Sequence, residues 1–190
     1  MAISVRPASF DDVQVVFGTR GEAHRCQCQW FKIPGGQFKA LSVDERTSLL
    51  QAQLETGPTG LVAHLDGEPV GWCAVEPRVV YRRLQNARVP WARRDEDPDD
   101  PDVWAVTCFV TRVGFRRRGV SRALAEASVE FARDRGARAV EGYPLVALPG
   151  QEFSWGELYV GSRSVFADAG FTQVSQPTRR RVVMRCELGG

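Results

Sequence analysis

The chain has 190 residues, 43% hydrophobic and 25% charged, enough to bury one α/β core without metals or disulfides. A net charge of +2 is too small for a dedicated nucleic-acid binder, and no stretch approaches the roughly 18 uncharged apolar residues of a membrane span. The start Met1-Ala2-Ile3-Ser4-Val5-Arg6 has no basic segment leading into an apolar one, and five scattered cysteines offer no paired framework; a single cytoplasmic domain over 1–190, with its core at about 3–188 and its thiols free, is expected.

Ile3 to Arg6 alternates apolar and polar residues and predicts a short strand. Ser9, with Asp12 three residues on, predicts the start of a helix of about two turns. Gly21 to Phe38 reads as irregular, with Cys26-Gln27-Cys28-Gln29-Trp30-Phe31 ahead of Pro34-Gly35-Gly36, as a functional loop would. Ser42 and Glu45 repeat the capping pattern, and Leu49, Leu50 and Leu54 give that helix an apolar side until Gly57. Leu61–Leu65 and Val70–Val75 then read as a hairpin closed by Asp66-Gly67, a dipeptide that tolerates positive φ.

A short helix is expected within 79–91. Residues 95–102 interleave six acids with Pro98 and Pro101, too polar to order themselves by apolar burial, so a mobile loop able to attract a cationic substrate is expected. Val103 to Val110 has the continuous apolar character of a strand buried on both faces. Gly119 to Arg135 switches to helical period, with Val120, Leu124, Ala127 and Phe131 on one side. Ala137–Gly142 predicts a strand, a loop runs to Val160, Gly161–Ala169 predicts a short helix, and Phe171–Val174 and Val182–Leu188 predict the last strands.

The centre of this order is a strand, helix, strand unit whose right-handed crossover makes 103–110 and 137–142 parallel neighbours. Its turn is Gly114-Phe115-Arg116-Arg117-Arg118-Gly119-Val120-Ser121. A helix start carries unpaired N–H groups and partial positive charge, the arginines add charge, and Gly119 admits close backbone approach, so the turn suits a pyrophosphate.

On Arg116-Arg117-Arg118-Gly119-Val120-Ser121, together with the preceding hairpin and Val165-Phe166-Ala167-Asp168-Ala169-Gly170-Phe171, the chain resembles the GNAT superfamily of N-acetyltransferases over essentially its whole length. It departs from the superfamily's Arg/Gln-x-x-Gly-x-Gly/Ala by ending in Ser121 and by one extra residue between Val110 and Arg116. The resemblance implies an α/β fold with a mixed, mostly antiparallel sheet of six to seven strands flanked by helices and splayed between the fourth and fifth strands. It further implies acetyl-CoA as donor, with pyrophosphate and adenosine at Arg116, Arg117, Arg118, Gly119, Val120, Ser121 and Arg122, and pantetheine beside Cys108, Phe109 and Val110, with Ser162 near it. A neutral primary amine would attack the thioester directly, its oxyanion held by strand amides. The acceptor is expected to be a small molecule, the protein a homodimer, and neither metal, nucleic acid nor membrane to take part.

For the base that frees the amine, strand-end carboxylates are natural candidates: Glu141 first, Glu76 second, Glu157 third. The superfamily's usual general acid, a tyrosine four residues before the Gly of the closing Gly-Phe, is replaced by Phe166, leaving Tyr159 as the donor to consider. Cys28, Trp30 and Glu76 are expected on the acceptor side. Cys26-x-Cys28 with His24 lacks the second pair a structural zinc site needs, and Cys108 has no histidine close in sequence to make it a nucleophile. Arg179-Arg180-Arg181 reads as a solvated turn. Two rival functions remain: a coenzyme A-binding protein without catalysis, and a nucleic-acid binder using the arginine runs.

Overall fold

The computed structural model describes residues 2–148, 150 and 157–189, so part of the loop expected before Val160 lies outside the described residues. Seven strands form one sheet: β1 (Ile3–Pro7), β2 (Gly60–Leu65), β3 (Glu68–Pro77), β4 (Val103–Thr111), β5 (Ala139–Gly142), β6 (Thr172–Thr178) and β7 (Arg181–Glu187), in spatial order β1-β2-β3-β4-β5-β7-β6. All neighbours are antiparallel except β4 and β5, which a helical crossover makes parallel. The helices are α1 (Phe10–Phe17), α2 (Glu22–Cys26), α3 (Gly35–Ala40), α4 (Val43–Thr56), α5 (Arg82–Gln85), α6 (Val120–Arg133) and α7 (Arg163–Asp168).

The local signals act as their chemistry dictates. Ser9 accepts from the Asp12 N–H at 3.2 Å to start α1. Ser42 and Glu45 close a reciprocal capping box at the start of α4, with bonds of 3.2 and 2.7 Å. Asp66 and Gly67 both take positive φ, 51° and 90°, and turn β2 into β3.

The sheet separates two cores. On one face α6 and α7 cover Trp104, Val106, Phe109, Leu124, Phe131 and Phe166. On the other, α1 and α4 cover Val13, Phe17, Leu50, Val62 and Trp72.

Two expectations are corrected. The segment 21–38 is not irregular throughout, for it holds α2 and α3; α2 stops where Gln27 and Cys28 turn left-handed, with φ of 49° and 56°. The acidic segment 95–102 is not a free loop. Glu96 pairs with Arg78, Arg94 and Arg185, Asp100 with Arg138, and the Asp97 carbonyl accepts from Arg78 at 2.8 Å. Charge, not apolar burial, orders it.

The start of α6 lies tight on β3. A Cβ on Gly71 would stand 2.3 Å from Val120 Cγ1 and 3.2 Å from Leu124 Cδ1. Gly71→Ala should therefore cost about 1–3 kcal/mol by overpacking, read as a lower urea midpoint at unchanged slope.

Candidate active site

The turn into α6 keeps its backbone donors available. Gly119 is the N-cap with φ 81°, no side chain caps the helix, and its first turn contains no acid. Arg117 is also left-handed, at φ 61°, which only a tight turn requires. Arg118 and Arg112 stack on Phe115, their guanidinium carbons 5.6 and 5.1 Å from the ring centre. Arg122 bonds Glu126 at 3.0 Å and faces Asp168 at 3.7 Å. The Ser121 hydroxyl meets Thr111 Oγ1 at 3.4 Å, joining the helix start to the end of β4.

From that junction back to Val106, β4 has a strand on one side only. Its pairing with β5 covers Val103–Val106 against Ala139–Gly142 and then stops, while β4 continues to Thr111. Within that free stretch lies a bulge: Cys108 pairs with Ala74 and Val106 with Val75, so Thr107 has no partner on β3. The bulge sends Phe109 to the α6 face and Cys108 to the other, against Cys28 and Trp72.

At Thr107 a cavity of about 190 Å³ opens, bounded by Val106, Tyr143, Tyr159, Val160 and Arg181 and by Phe31, Leu84, Ala87, Val89 and Pro90. Phe31 and Ala87 are shared with an outer cavity of about 430 Å³ lined by Trp30, Arg82 and Arg83.

The helix start is suited to an anion, the strand beside it is paired on one side only, and a cavity opens at its bulge. A model of the acetyltransferase (GNAT) family matches residues 27–143. The chain belongs to the GNAT acetyltransferase family. No curated protein matches the chain. An N-acetyltransferase from Staphylococcus aureus Mu50 has the same fold, with a TM-score of 0.57 at 11% identity over 99% of each chain. YncA of Salmonella typhimurium, solved with its cofactor acetyl-CoA, gives 0.56 at 16% identity over 99% of this chain and 95% of its own. PaiA N-acetyltransferase of Thermoplasma acidophilum, solved with coenzyme A, gives 0.53 at 13% over 98% and 99%.

In this GNAT chain the carboxylates named from sequence meet different environments. Glu141 is fully buried; Arg78 bonds it at 3.0 Å, Arg185 at 2.7 Å, Arg94 closely, and the Tyr143 hydroxyl donates at 3.0 Å. Burial alone would raise its pKa, but the arginines outweigh it and hold the carboxyl below the usual range. With both oxygens occupied and its proton affinity reduced, Glu141 is a poor proton acceptor; its evident work is to bind β5, β7 and the acidic segment. Glu157 forms a half-exposed pair with Arg180 at 3.1 Å.

Glu76 differs. Burial pushes its carboxyl up, against the pull of Lys32, whose Nζ lies 2.5 Å away. The Tyr81 hydroxyl, fully buried, stands beside Glu76 and Thr107 without meeting strict hydrogen-bond geometry to either. Burial and the Glu76 charge keep that phenol protonated.

Tyr159 lines the inner cavity, its pKa raised by burial, beside Arg181 and 6.2 Å from Phe31 between ring centres. Ser162 caps α7, accepting from Val165 at 3.4 Å and touching Ser164 at 3.0 Å. Phe166 is fully buried among Phe109 and Phe171. Trp30 lines the outer cavity, whereas Cys28 lies under the sheet, its sulfur 3.4 Å from Trp72 Nε1. Hydrogen bonding to Cys28 and burial push Cys108 well up, so it stays a thiol.

Sequence reasoning did not find Thr107, Tyr81, Tyr143, Lys32 or Arg181. A bulge has no signature in a continuous apolar run, and Tyr81 reaches Glu76 only through the fold. Arg181 did carry a signal: it is the first residue of β7, directly before the apolar Val182-Val183-Met184, and it lines the inner cavity and does not lie in a solvated turn.

The Glu141 cluster predicts its own test. A depressed folded pKa stabilises above the unfolded value, about 4.3 for a glutamate, and that stability is lost as pH falls through the folded one. Glu141→Gln should cost about 3–5 kcal/mol in urea unfolding at pH 7 by leaving buried guanidinium groups uncompensated, and should weaken the acid dependence of stability.

Proposed function

We propose that this GNAT protein transfers the acetyl group of acetyl-CoA to a small primary amine by direct attack. The observation that carries the reading is a continuous path. The uncapped start of α6 touches the end of β4 at Thr111, the one-sided edge of β4 runs about 13 Å back to Thr107, and the cavity opens there. The helix start and Arg116–Arg118 would hold the pyrophosphate, and pantetheine would lie along the β4 edge as an added strand. The cavity would take the acceptor. At about 190 Å³ it falls below the roughly 300 Å³ at which drug-sized sites begin, which favours a compact amine.

In this reading the amine nitrogen forms its bond to the acetyl carbonyl carbon while free N–H groups of the β4 edge stabilise the oxyanion. The C–S bond then breaks with its electrons on sulfur. The amine proton passes through the hydroxyls of Thr107 and Tyr81 to Glu76, whose raised proton affinity suits it as acceptor better than Glu141. Tyr159, kept protonated by burial at the cavity wall, donates to the leaving thiolate.

Two experiments test this. Acetyl-CoA at about 100 times its Kd should stabilise the protein by roughly 2.7 kcal/mol in a thermal shift. Gly119→Glu, whose Cβ would make only an ordinary contact with Ile3 Cδ1 at 4.0 Å but which brings an anion to the cradle, should remove that shift at a cost in stability of about 1 kcal/mol; a retained shift would put the nucleotide elsewhere.

The base is tested by pH. Because Glu76 must be ionised, kcat/KM should fall as pH is lowered through a value above the ordinary glutamate range. Glu76→Gln should reduce kcat by about 100-fold and flatten that limb without changing the acetyl-CoA shift. Lys32→Met, which removes a charge that lowers the Glu76 pKa, should move the limb to higher pH.

A further inference from the structure

We infer that the acceptor carries a carboxylate as well as its amine, as a free amino acid with an apolar side chain does, and that Arg181 is the residue that selects it. The inference rests on the acetyltransferase reading of the same cavity and names the substrate class.

The sign of the charge along the route inward carries it. Arg82 and Arg83 line the outer cavity and Arg181 the inner one, and among the described residues neither lining includes an aspartate or a glutamate. The acids that a polyamine or aminoglycoside would need are committed elsewhere: Glu96 to three arginines and Asp100 to Arg138. Glu76 lies behind Thr107, paired with Lys32. A polycation would meet only arginines here, and like charges brought together in a partly desolvated cleft repel.

Arg181 has capacity to spare. Its Nη1 donates to the Tyr143 carbonyl at 3.0 Å and its guanidinium faces the Tyr159 hydroxyl. A guanidinium has five N–H donors in a rigid fork matched to a carboxylate, so these contacts fix its plane and leave donors for a ligand. Among the described residues no carboxylate forms an ion pair with it. Around it the wall is apolar, with Phe31, Leu84 and Val89 placed to take an aliphatic or aromatic side chain. An anion bound at Arg181 also anchors an amine close to Thr107, since both residues bound the same cavity.

The test is an acceptor panel read by release of free thiol from acetyl-CoA. It compares leucine and phenylalanine with their amides, with the matching amines that lack the carboxylate, and with spermidine. The free amino acids should be preferred over amides and simple amines by about 10- to 100-fold in kcat/KM, the range set by one charge-assisted hydrogen-bonded contact. Arg181→Ala should erase that preference, its KM for the amino acids rising by a larger factor than its kcat falls, and Arg181→Lys should restore part of it. The acetyl-CoA thermal shift, measured on the same proteins, shows that each variant is folded and reads the donor site separately. Equal or better transfer to the amides, the simple amines or spermidine would overturn the inference. So would failure of the acetyl-CoA-loaded protein to acetylate or bind any amino acid in the panel. Absence of the acetyl-CoA shift in the wild-type protein would instead overturn the donor reading.

Discussion

The candidate site depends on β4 and β5 ceasing to share hydrogen bonds after Val106 and Gly142. Buried strand edges ordinarily find partners, since an unpaired N–H or C=O away from water costs about as much as a lost hydrogen bond. Here the parting is enforced by side chains. Phe166 stands against Phe109 and Phe171 with ring centres 5.7 and 5.0 Å apart, occupying space that Gly142 and Gly161 leave by lacking a Cβ. A Cβ on Gly142 would be 2.2 Å from the Phe166 ring, and one on Gly161 2.9 Å. The aromatic wedge and the two glycines thus form one device. The residue that gives up the hydroxyl expected at that place is the one that shapes the gap, and the phenol next to the cavity comes from Tyr159 instead.

Two buried carboxylates border the same region and are driven in opposite directions. Both are desolvated, which favours the protonated form. Around Glu141 three guanidinium groups and a phenol reverse that preference, and the result is a rigid junction between β5, β7 and the segment around Glu96. Around Glu76 a single ammonium does not reverse it. Similar burial therefore yields a fixed charge in one place and a titratable one in the other, decided by the number of cations within contact.

The strand, helix, strand centre was readable because each of its parts is local. The continuous apolar run of 103–110, the helical period after Gly119 and the Asp66-Gly67 turn each specify themselves within a few residues. The acidic segment misled because composition reports what a segment cannot bury, not which cations the fold brings to it. Arg185 and Glu96 are separated by 89 positions, and their contact has no local trace. For the same reason the sequence around Glu141 does not show which arginines surround it. The proposed donor half of the site lies in one turn, 114–121, so its signals are local in the sequence. The cavity proposed for the acceptor draws on Phe31, Leu84, Thr107, Tyr159 and Arg181, far apart in the chain and brought together only by the fold.

The division of labour between the two basic residue types follows from their chemistry. Lys32 and Lys39 are the only lysines among 25 basic residues, so most cationic contacts in this protein fall to arginine. A guanidinium is never deprotonated in a protein and binds in a fixed fork, which suits it to lock Glu141 and Glu96 and, in the inferred acceptor site, to orient a carboxylate at Arg181. It cannot take part in a proton relay. An ammonium is a compact charge on a flexible stem, and one of the two lysines is buried and set against Glu76, with Gln53 Oε1 accepting from it at 2.9 Å. A relay needs a carboxylate whose charge can change during turnover without breaking the fold. An arginine ring of the kind around Glu141 would forbid that change, whereas a single lysine held by a neutral amide permits it.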